Sequence, residues 1–311
     1  MAPGRRPPAE VDLDAALVRR LLAGQFPEWV TLELRRVKSP GWDNEIFRLG
    51  DHLAVRLPRR TMGAHQVAKQ HRWLASLAGQ LPLPIPVPVG AGEPAEGYPW
   101  PWSVVPWFVG AMAAVAPPVD RDGAGRSIAD FLAALQAIDG RDGPTNEFRG
   151  VPLARRDEHV RTAIARLDGL MANTASVLRV WTDGLRMADW RTPPTWFHGD
   201  LHPANVVVTG GRVSAIIDFG HLGVGDPACD MLIAWTMLSS DERSTFRQLL
   251  GVDEATWLRG RGWAVAVGAA AVAYSGPDEI LARIGRRALT EVMADAGEPV
   301  SWVDKGGAES G

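Results

Sequence analysis

The sequence of 311 residues predicts an α+β protein with two lobes, a small antiparallel sheet followed by a mainly helical part. Two observations lead to this expectation. Three short apolar segments separated by turn residues lie near the start, at 31–37, 45–49 and 53–57, and such spacing is typical of antiparallel strands. From Ser127 onward, most segments repeat apolar residues at helical intervals. The chain is long enough to form two lobes.

The order of these segments predicts where the lobes divide. We expect a first lobe over residues 1–105, a hinge over 106–110 and a second lobe over 111–311. The alternating prolines of 81–89 enforce an extended chain and cannot donate to a central strand, so this segment is expected at a sheet edge. A strand over 102–105 then leads into the hinge.

Amphipathic spacing predicts one helix before the sheet segments and several after them along the chain. Ser127 is expected to be the N-cap of one helix, and Asp226 followed by proline is typical of another helix start. The apolar run 264–273 is too short to span a bilayer and indicates a buried helix. The predicted helices cover residues 12–22, 61–78, a segment from 127, 157–170, 175–188, 226–237, 253–273 and 277–294.

Composition limits the class of function. The formal charge of −3 gives no reason to expect a nucleic-acid partner, and a single cysteine, Cys229, excludes an intramolecular disulfide and a cysteine-rich zinc site. No membrane segment and no signal peptide are expected, so the location is predicted to be cytoplasmic. Residues 226–311 carry 13 acidic and eight basic residues, which would attract a cationic acceptor or simply form an acidic solvated surface. Oligomeric state is not predicted.

Polar residues stand at both ends of a predicted β-hairpin. The apolar run 206–208 is joined through a Gly-Gly turn to the run 215–217. Asp200 and Asn205 precede the first strand, and Asp218 follows the second. Because paired strands bring these ends together, two carboxylates and an amide are expected to converge.

This polar set suits a magnesium–nucleotide site. Mg²⁺ prefers a few hard oxygen ligands and leaves positions for phosphate and water, which makes Asn205 and Asp218 candidate metal ligands. Asp200 could orient an acceptor hydroxyl and take its proton. The spacing also matches the kinase arrangement of catalytic Asp, Asn and Asp-Phe-Gly. Two alternatives are that the acids merely cap turns, or that His198, Asp200 and His202 ligate a metal in a hydrolase, which would leave the amide and second acid unexplained.

Residues 198–205, 217–220 and 225–230 resemble the catalytic region of the aminoglycoside phosphotransferase family, which is related to choline kinases. The resemblance covers roughly residues 41–293 and implies a bilobal protein-kinase-like fold. It also implies Mg²⁺-dependent transfer of the γ-phosphoryl group of ATP or GTP to a hydroxyl of a small molecule, with an aminoglycoside-like antibiotic as one candidate. It does not identify the acceptor.

The resemblance implies roles for the residues of the catalytic loop. Asp200 is the expected catalytic acid–base residue, and His202 is expected to steady the transferring phosphoryl group. His198 is expected to hold the loop by hydrogen bonds. Asp226 is expected to support the loop from a neighbouring segment.

The resemblance also implies residues that bind the nucleotide. Arg56 occupies the place of the family's third-strand lysine and is expected to contact phosphates. The loop with Ser39 and Gly41 is expected to cover the phosphates. The carbonyl of Pro106 and the amide of Phe108 are expected to face the base.

One position departs from the family pattern. The family pairs its strand cation with a Glu on the next helix, but residues 61–78 contain no acid, and the corresponding positions hold Ala68 and Gln70. Gln70 could support Arg56 by a neutral hydrogen bond, or another acid could replace the Glu. A third alternative is a non-catalytic, nucleotide-binding pseudokinase. Protein kinase activity is not expected, since no long activation loop follows Gly220.

Overall fold

The computed structural model describes residues 8–37, 43–191, 193–276 and 279–303. In the first part of the chain, one helix precedes a five-stranded antiparallel sheet and another follows its third strand. These elements are α1 (Ala15–Gln25), β1 (Leu34–Arg36), β2 (Asn44–Leu49), β3 (Leu53–Pro58), α2 (Thr61–Ala78), β4 (Gly90–Gly92) and β5 (Trp102–Pro106). The strands lie in the order β1-β2-β3-β5-β4.

The apolar face of α1 packs with the sheet. Asp14 caps this helix by accepting a hydrogen bond from the Leu17 amide at 2.7 Å, so the helix begins three residues later than predicted. Val18 and Leu21 are fully buried, in one cluster with Val55 of β3. This contact forms a small core on the first sheet.

The proline-rich segment 81–89 forms no regular strand and leads directly into β4, the edge strand of the sheet. The Val89 amide donates to the Val104 carbonyl at 2.8 Å. This arrangement agrees with the predicted extended edge segment, because prolines have no amide hydrogen for a second neighbour.

The second part of the chain is mainly helical and contains two small antiparallel sheets, one of β6, β8 and β9 and one of β7 and β10. Its elements are β6 (Ala111–Met112), α3 (Arg121–Ala137), α4 (Asp157–Ala165), α5 (Thr174–Leu185), β7 (Thr195–Phe197), β8 (Val206–Thr209), β9 (Arg212–Ile216), β10 (Gly223–Gly225), α6 (Ile233–Thr236), α7 (Ser240–Leu250), α8 (Glu254–Tyr274) and α9 (Ile280–Asp295).

The start of α3 corrects a prediction. Asp120, not Ser127, is the N-cap, and its carboxylate accepts the Gly123 amide at 2.9 Å. Ser127 lies inside the helix and donates to the Gly123 carbonyl. The glycines at 123 and 125 have low helix propensity and concealed this first turn, but Gly125 is buried, so tertiary packing favours the helix there.

Other helix ends also differ from the predictions. The predicted helix 157–170 ends at Ala165, and the chain then reaches Gly169 and Asn173, both with left-handed backbone angles. The predicted helix 226–237 is a 3-10 helix, Pro227–Leu232, followed by the short α6. Apolar periodicity does not distinguish these tighter turns from an α-helix.

The predicted hairpin is present as β8 and β9. Val206 pairs with Ile216, and the chain reverses at Gly210 and Gly211, whose φ angles are 58° and 77°. Two successive positive φ angles require glycine-like residues, which explains the Gly-Gly sequence. Beyond the strand, the Ile217 amide donates to the Asn205 carbonyl at 2.9 Å, which brings the next residue, Asp218, beside Asn205.

Helix α8 contains the apolar run that the sequence indicated as buried. Ala264, Val265 and Ala269 are fully inaccessible to solvent, and the helix packs against α5 and α9. Within the described ranges, no helix is long and apolar enough to cross a membrane.

The buried apolar residues form two separate clusters, one on the first sheet and one in the helical part. Leu74 and Leu77 of α2 belong to the second cluster, although they precede the predicted boundary. The division at residues 105 and 111 therefore stays a prediction.

A buried ion pair between Arg259 and Asp226 connects elements within the helical part of the chain. Arg259 of α8 contacts Asp226 at 2.7 Å, with both side chains under 5% exposed, and it donates to the Ala188 carbonyl at 2.7 Å. Asp226 also caps the following 3-10 helix through the Ala228 amide. These contacts connect α8, the 3-10 helix and the segment after α5.

Replacing Arg259 with alanine is expected to lower the free energy of unfolding by about 3–5 kcal/mol, because it leaves the Asp226 carboxylate buried without a partner. Arg186→Ala is the matched control, since the Arg186–Asp183 pair is exposed and such pairs contribute about 0–1 kcal/mol. Urea denaturation of both variants measures the difference. Equal losses would contradict a special role for the buried pair.

Candidate active site

The predicted catalytic loop, residues 198–205, is held from below by a buried carboxylate. Asp230 accepts hydrogen bonds from the amides of His198 and Gly199, both at 2.7 Å, and is fully inaccessible to solvent. Burial raises the pKa of Asp230 to about 7, although the two amide donors act in the opposite direction. Direct support of the loop thus comes from Asp230, four residues beyond the Asp226 named from the sequence.

His198 connects the loop to the hairpin. Its Nδ1 accepts the Asp200 amide at 3.2 Å, and its Nε2 donates to the Ile217 carbonyl at 3.0 Å. The ring is fully buried, and burial lowers its pKa. With both nitrogens engaged, His198 is not available to a metal, and no group of three or more His, Cys, Asp or Glu residues in the described chain could hold one. The hydrolase alternative has no support.

Asp200 lies among several positive or donor groups. Its carboxylate is 3.5 Å from His202 Nε2 and 3.6 Å from Arg149 Nη2. Burial alone would raise the pKa of Asp200, but His202, His221 and Arg149 hold it well below its usual range. The group is therefore ionised at neutral pH and can accept a hydrogen bond from a hydroxyl.

His202 faces Asp200. Its Nδ1 accepts the Ala204 amide at 3.3 Å, so Nε2 carries the hydrogen and points toward the carboxylate. The only catalytic-loop contact of this nitrogen in the described chain is thus with Asp200, which indicates an orienting effect on that side chain.

Asn205 and Asp218 fit a magnesium ion. The side-chain nitrogen of Asn205 donates to the Asp200 carbonyl at 2.9 Å. No described residue donates to the side-chain oxygen of Asn205, which is therefore a free acceptor in the site. Asp218 has a left-handed backbone, φ 65°, and its side chain is 42% exposed. One of its oxygens accepts from Arg56, and no described residue donates to the other. Two hard oxygens with open space match the few protein ligands that Mg²⁺ takes beside phosphates.

Arg56 contacts two residues at once. Its Nη1 donates to Gln70 Oε1 at 3.0 Å, and its Nη2 donates to Asp218 Oδ1 at 3.2 Å. Arg56 and Gln70 are buried, at 8% and 3% exposure. The forked guanidinium thus contacts the amide of α2 and the hairpin acid together, an arrangement that a lysine ammonium would match less well.

A cavity of about 380 Å³ opens beside Asp200, between the catalytic loop and the C-terminal helices. Asp200 is the only acid among its described lining residues, and Arg149 and Arg156 are its cations. Its other walls are largely apolar or aromatic, and include Trp263 and Tyr274. The cavity is of a size suited to a small molecule whose reacting group meets the carboxylate.

Comparison with known proteins identifies the family. A model of the phosphotransferase enzyme family matches residues 34–263. The chain belongs to this family. The resemblance found in the sequence is confirmed, and the catalytic loop and hairpin lie inside the matched region.

Individual members of this phosphotransferase family share modest sequence identity with the chain, over part of its length. An aminoglycoside 3'-phosphotransferase of Streptomyces fradiae is 31% identical over 128 residues, 39% of this chain and 46% of that protein. The chain thus matches about half the length of this curated relative.

Solved structures share the fold over most of the chain. A complex of APH(2")-IIia with GDP and kanamycin has a TM-score of 0.67 at 18% identity, covering 89% of this chain and 98% of that chain. The macrolide 2'-phosphotransferase MphH from Brachybacterium faecium has a TM-score of 0.57 at 20% identity, covering 90% and 97%. The predicted fold, with a small antiparallel N-terminal sheet and a mainly helical C-terminal part, is confirmed.

Of the predicted nucleotide-binding residues other than Arg56, the structure describes Pro106 and Phe108. Ser39 and Gly41 lie outside the described residues. Pro106 ends β5, and Trp107 donates to the His52 carbonyl at 2.7 Å. The Phe108 amide has no hydrogen-bond acceptor within the described chain, so it is free to contact a base.

Sequence reasoning missed several residues of the site. Arg149 comes from the glycine- and proline-rich loop before α4, where no periodicity or motif marks it. Its Nε donates to the Gly199 carbonyl at 2.7 Å. Arg156 directly precedes α4 and Trp263 lies in α8, and only tertiary packing brings both to the cavity. Asp230 was part of the matched motif and could have been found there.

Asp230→Asn is expected to be less stable than the parent protein, because the asparagine NH₂ group opposes one of two amide donors. Burial raises the pKa of the parent's carboxyl to about 7 in the folded state, above the value of about 3.9 that an aspartate has in the unfolded chain. The folded state therefore binds more protons between those values, and this part of the stability is lost as pH rises through about 7.

The stability deficit of Asp230→Asn should consequently shrink between about pH 4 and about pH 7 and level off above. Urea denaturation of both proteins across this range measures it. A deficit that grows with pH would mean that the carboxylate is ionised throughout.

Gln70→Leu is expected to weaken nucleotide binding in the presence of Mg²⁺ by about tenfold, because Arg56 loses one buried partner and its orientation. Gln70→Glu should retain binding, since a carboxylate can accept the same hydrogen bond. Gln80→Leu is the matched control, because Gln80 is exposed beyond the same helix. Calorimetric titration with ATP measures all three, and unchanged binding in Gln70→Leu contradicts the supporting role.

Proposed function

We propose that this protein is a small-molecule O-phosphotransferase that moves the γ-phosphoryl group of ATP or GTP to a hydroxyl in the presence of Mg²⁺. The observation that carries the proposal is the meeting of Asp200, Asn205, Asp218 and Arg56 at one end of the hairpin, next to a cavity. Family membership and the nucleotide in the kanamycin complex of a structural relative agree with it.

On the acceptor side, Asp200 orients the hydroxyl and receives its proton as the new oxygen–phosphorus bond forms and the nucleoside diphosphate leaves. Its low pKa makes it a weak base. That is sufficient, because a loose transition state builds little negative charge on the attacking oxygen early in the reaction. His202 and Arg149 hold the carboxylate in place.

On the donor side, Arg56 contacts phosphate oxygens, and its pairing with Gln70 fixes its direction. Asn205 and Asp218 are the residues that would hold Mg²⁺, which when bound neutralises charge on the phosphates. Pro106 and Phe108 contact the base, and the loop with Ser39 and Gly41 covers the phosphates. Residues 106–110 act as the hinge between lobes spanning 1–105 and 111–311.

A non-catalytic nucleotide-binding role is the alternative raised by the missing helix acid. Gln70 bears against it, since it supplies the buried acceptor that Arg56 needs. The catalytic acid and both candidate metal ligands are also present. We therefore favour catalysis, in a cytoplasmic location where nucleoside triphosphates are available.

Two substitutions test the proposal together. Asp200→Asn should keep Mg²⁺-dependent nucleotide binding but lose a factor of about 10²–10⁴ in turnover, because the acceptor hydroxyl is no longer oriented and deprotonated. Asp218→Ala should instead lose the Mg²⁺ dependence of nucleotide binding. Nucleotide affinity by calorimetry, and ADP or GDP release with a library of hydroxylated acceptors, measure both.

Asp51→Asn serves as the matched control, since its side chain is 88% exposed and lies at a turn of the first sheet. Turnover retained in Asp200→Asn would refute the acid–base assignment. Nucleotide binding without any acceptor-dependent turnover in the parent protein would favour the non-catalytic alternative.

A further inference from the structure

We propose that the acceptor carries an anionic oxygen group next to an apolar portion, and that Arg156 binds this group in the cavity beside Asp200. This inference rests on the proposed function, because it takes the cavity to be the acceptor site. It names the substrate class and a specificity residue that neither the sequence motifs nor the matched family indicate.

The charges of the cavity favour an anion. Of its described lining residues, only Asp200 is acidic, and this carboxylate is already paired with Arg149. His159 also lines the cavity, and burial together with Arg156 and Arg149 lowers its pKa, so its ring is neutral and offers no negative charge to a cation. Among the lining residues that the structure describes, a polycationic acceptor would meet two guanidinium groups and no unpaired acid.

Arg149 and Arg156 differ in what they contact. Arg149 is fixed by the Gly199 carbonyl and Asp200, and it lies over the Trp263 ring at 5.8 Å. Arg156 has no carboxylate within ion-pair distance among the described residues, and its contact is with the Phe148 ring at 5.6 Å. Arg156 is therefore the cation that has its hydrogen-bond donors open to a ligand.

The position of Arg156 makes an anion favourable there. The side chain is half-buried, and burial together with the nearby Arg149 lowers its pKa. A half-buried cation without a partner carries a desolvation cost, and an oxygen anion bound beside it would lower that cost. The planar guanidinium donates two parallel hydrogen bonds to a carboxylate or phosphate, which gives a directional contact.

Within residues 226–276 and 279–303, which the structure describes, no acidic side chain lines the cavity. Several acids of these ranges pair with arginines elsewhere. These pairs are Glu291 and Asp295 with Arg243, Asp295 with Arg261, and Glu254 with Arg247. Apart from Asp200, the described part of the cavity therefore offers no acidic group to the cationic acceptor that the composition suggested.

The remaining walls of the cavity are largely apolar and indicate the chemistry of the part of the acceptor that carries no charge. Small and branched apolar residues of α8 and α9, such as Ala270 and Ile284, face the cavity together with the Tyr274 ring. The small alanine side chains of α8 leave space in the cavity for an apolar part of a ligand. A hydroxylated acid with an apolar body would place its hydroxyl at Asp200 and its anion at Arg156.

The test uses hydroxyalkyl compounds of equal chain length that end in a carboxylate, a phosphate, a neutral hydroxyl or an ammonium group, with kanamycin as a polycation. Calorimetry measures their binding to the 311-residue protein with saturating nucleotide and Mg²⁺. We expect one of the two anionic compounds to bind about tenfold or more tightly than the neutral one, and the ammonium compound to bind weakest. The better anion identifies carboxylate or phosphate as the group.

Three variants make the result specific. Arg156→Gln should lose about tenfold in affinity for the anion and leave the neutral compound unchanged, and Arg156→Glu should reverse the order of anion and ammonium. Arg155→Gln, an exposed neighbour outside the cavity, is the matched control and should change nothing. Nucleotide affinity and thermal melting of each variant confirm an intact fold and donor site.

Tighter binding of the ammonium compound or kanamycin, no binding of any anion, or an unchanged anion affinity in Arg156→Gln would each overturn the inference. Failure of the proposed function is distinguishable from these outcomes, because it appears as absent Mg²⁺-dependent nucleotide binding or absent phosphoryl transfer to every acceptor. Transfer to a cationic acceptor would sustain the phosphotransferase and refute only the anionic class.

Discussion

The two hydrogen bonds from the catalytic-loop amides to Asp230 are the contacts on which the site depends. They fix the backbone at His198 and Gly199, and the residue that follows is Asp200. The same backbone then positions His202 and Asn205. Because Asp230 is buried, the support excludes water and is sensitive to the protonation of one carboxyl group. The loop geometry therefore depends on a group that touches no part of a bound substrate.

The cation of the nucleotide side illustrates how a departure from a family pattern is accommodated. An arginine with an amide partner replaces a lysine with a carboxylate partner. The guanidinium contacts Gln70 and Asp218 together, so it is oriented without a second negative charge on α2. The two replacements suit each other. A lysine beside the neutral Gln70 would have neither the forked donors of arginine nor a carboxylate on α2 to pair with.

The charge of the described cavity lining differs in sign from the overall charge of the C-terminal part of the chain. The C-terminal part is acidic overall, yet the cavity it helps to build is lined by two arginines. Acids such as Glu291 pair with neighbouring arginines away from the cavity. The field at a substrate is set by the few groups that remain unpaired near it, which composition does not report.

The sequence by itself determined the fold class, the family and the cluster of Asp200, Asn205 and Asp218, because turn chemistry and strand alternation act over short distances that a linear pattern records. It also located most helices, with errors at ends such as that of α3, where burial of glycine outweighs propensity. Only the tertiary structure decided that Gln70 orients Arg56, that Asp230 rather than Asp226 contacts the catalytic loop, and that Arg149 and Arg156 line the cavity. Together with the contact between Arg56 and Asp218, which are 162 positions apart, these contacts form through packing of helices and loops, and no local periodicity encodes such a distance.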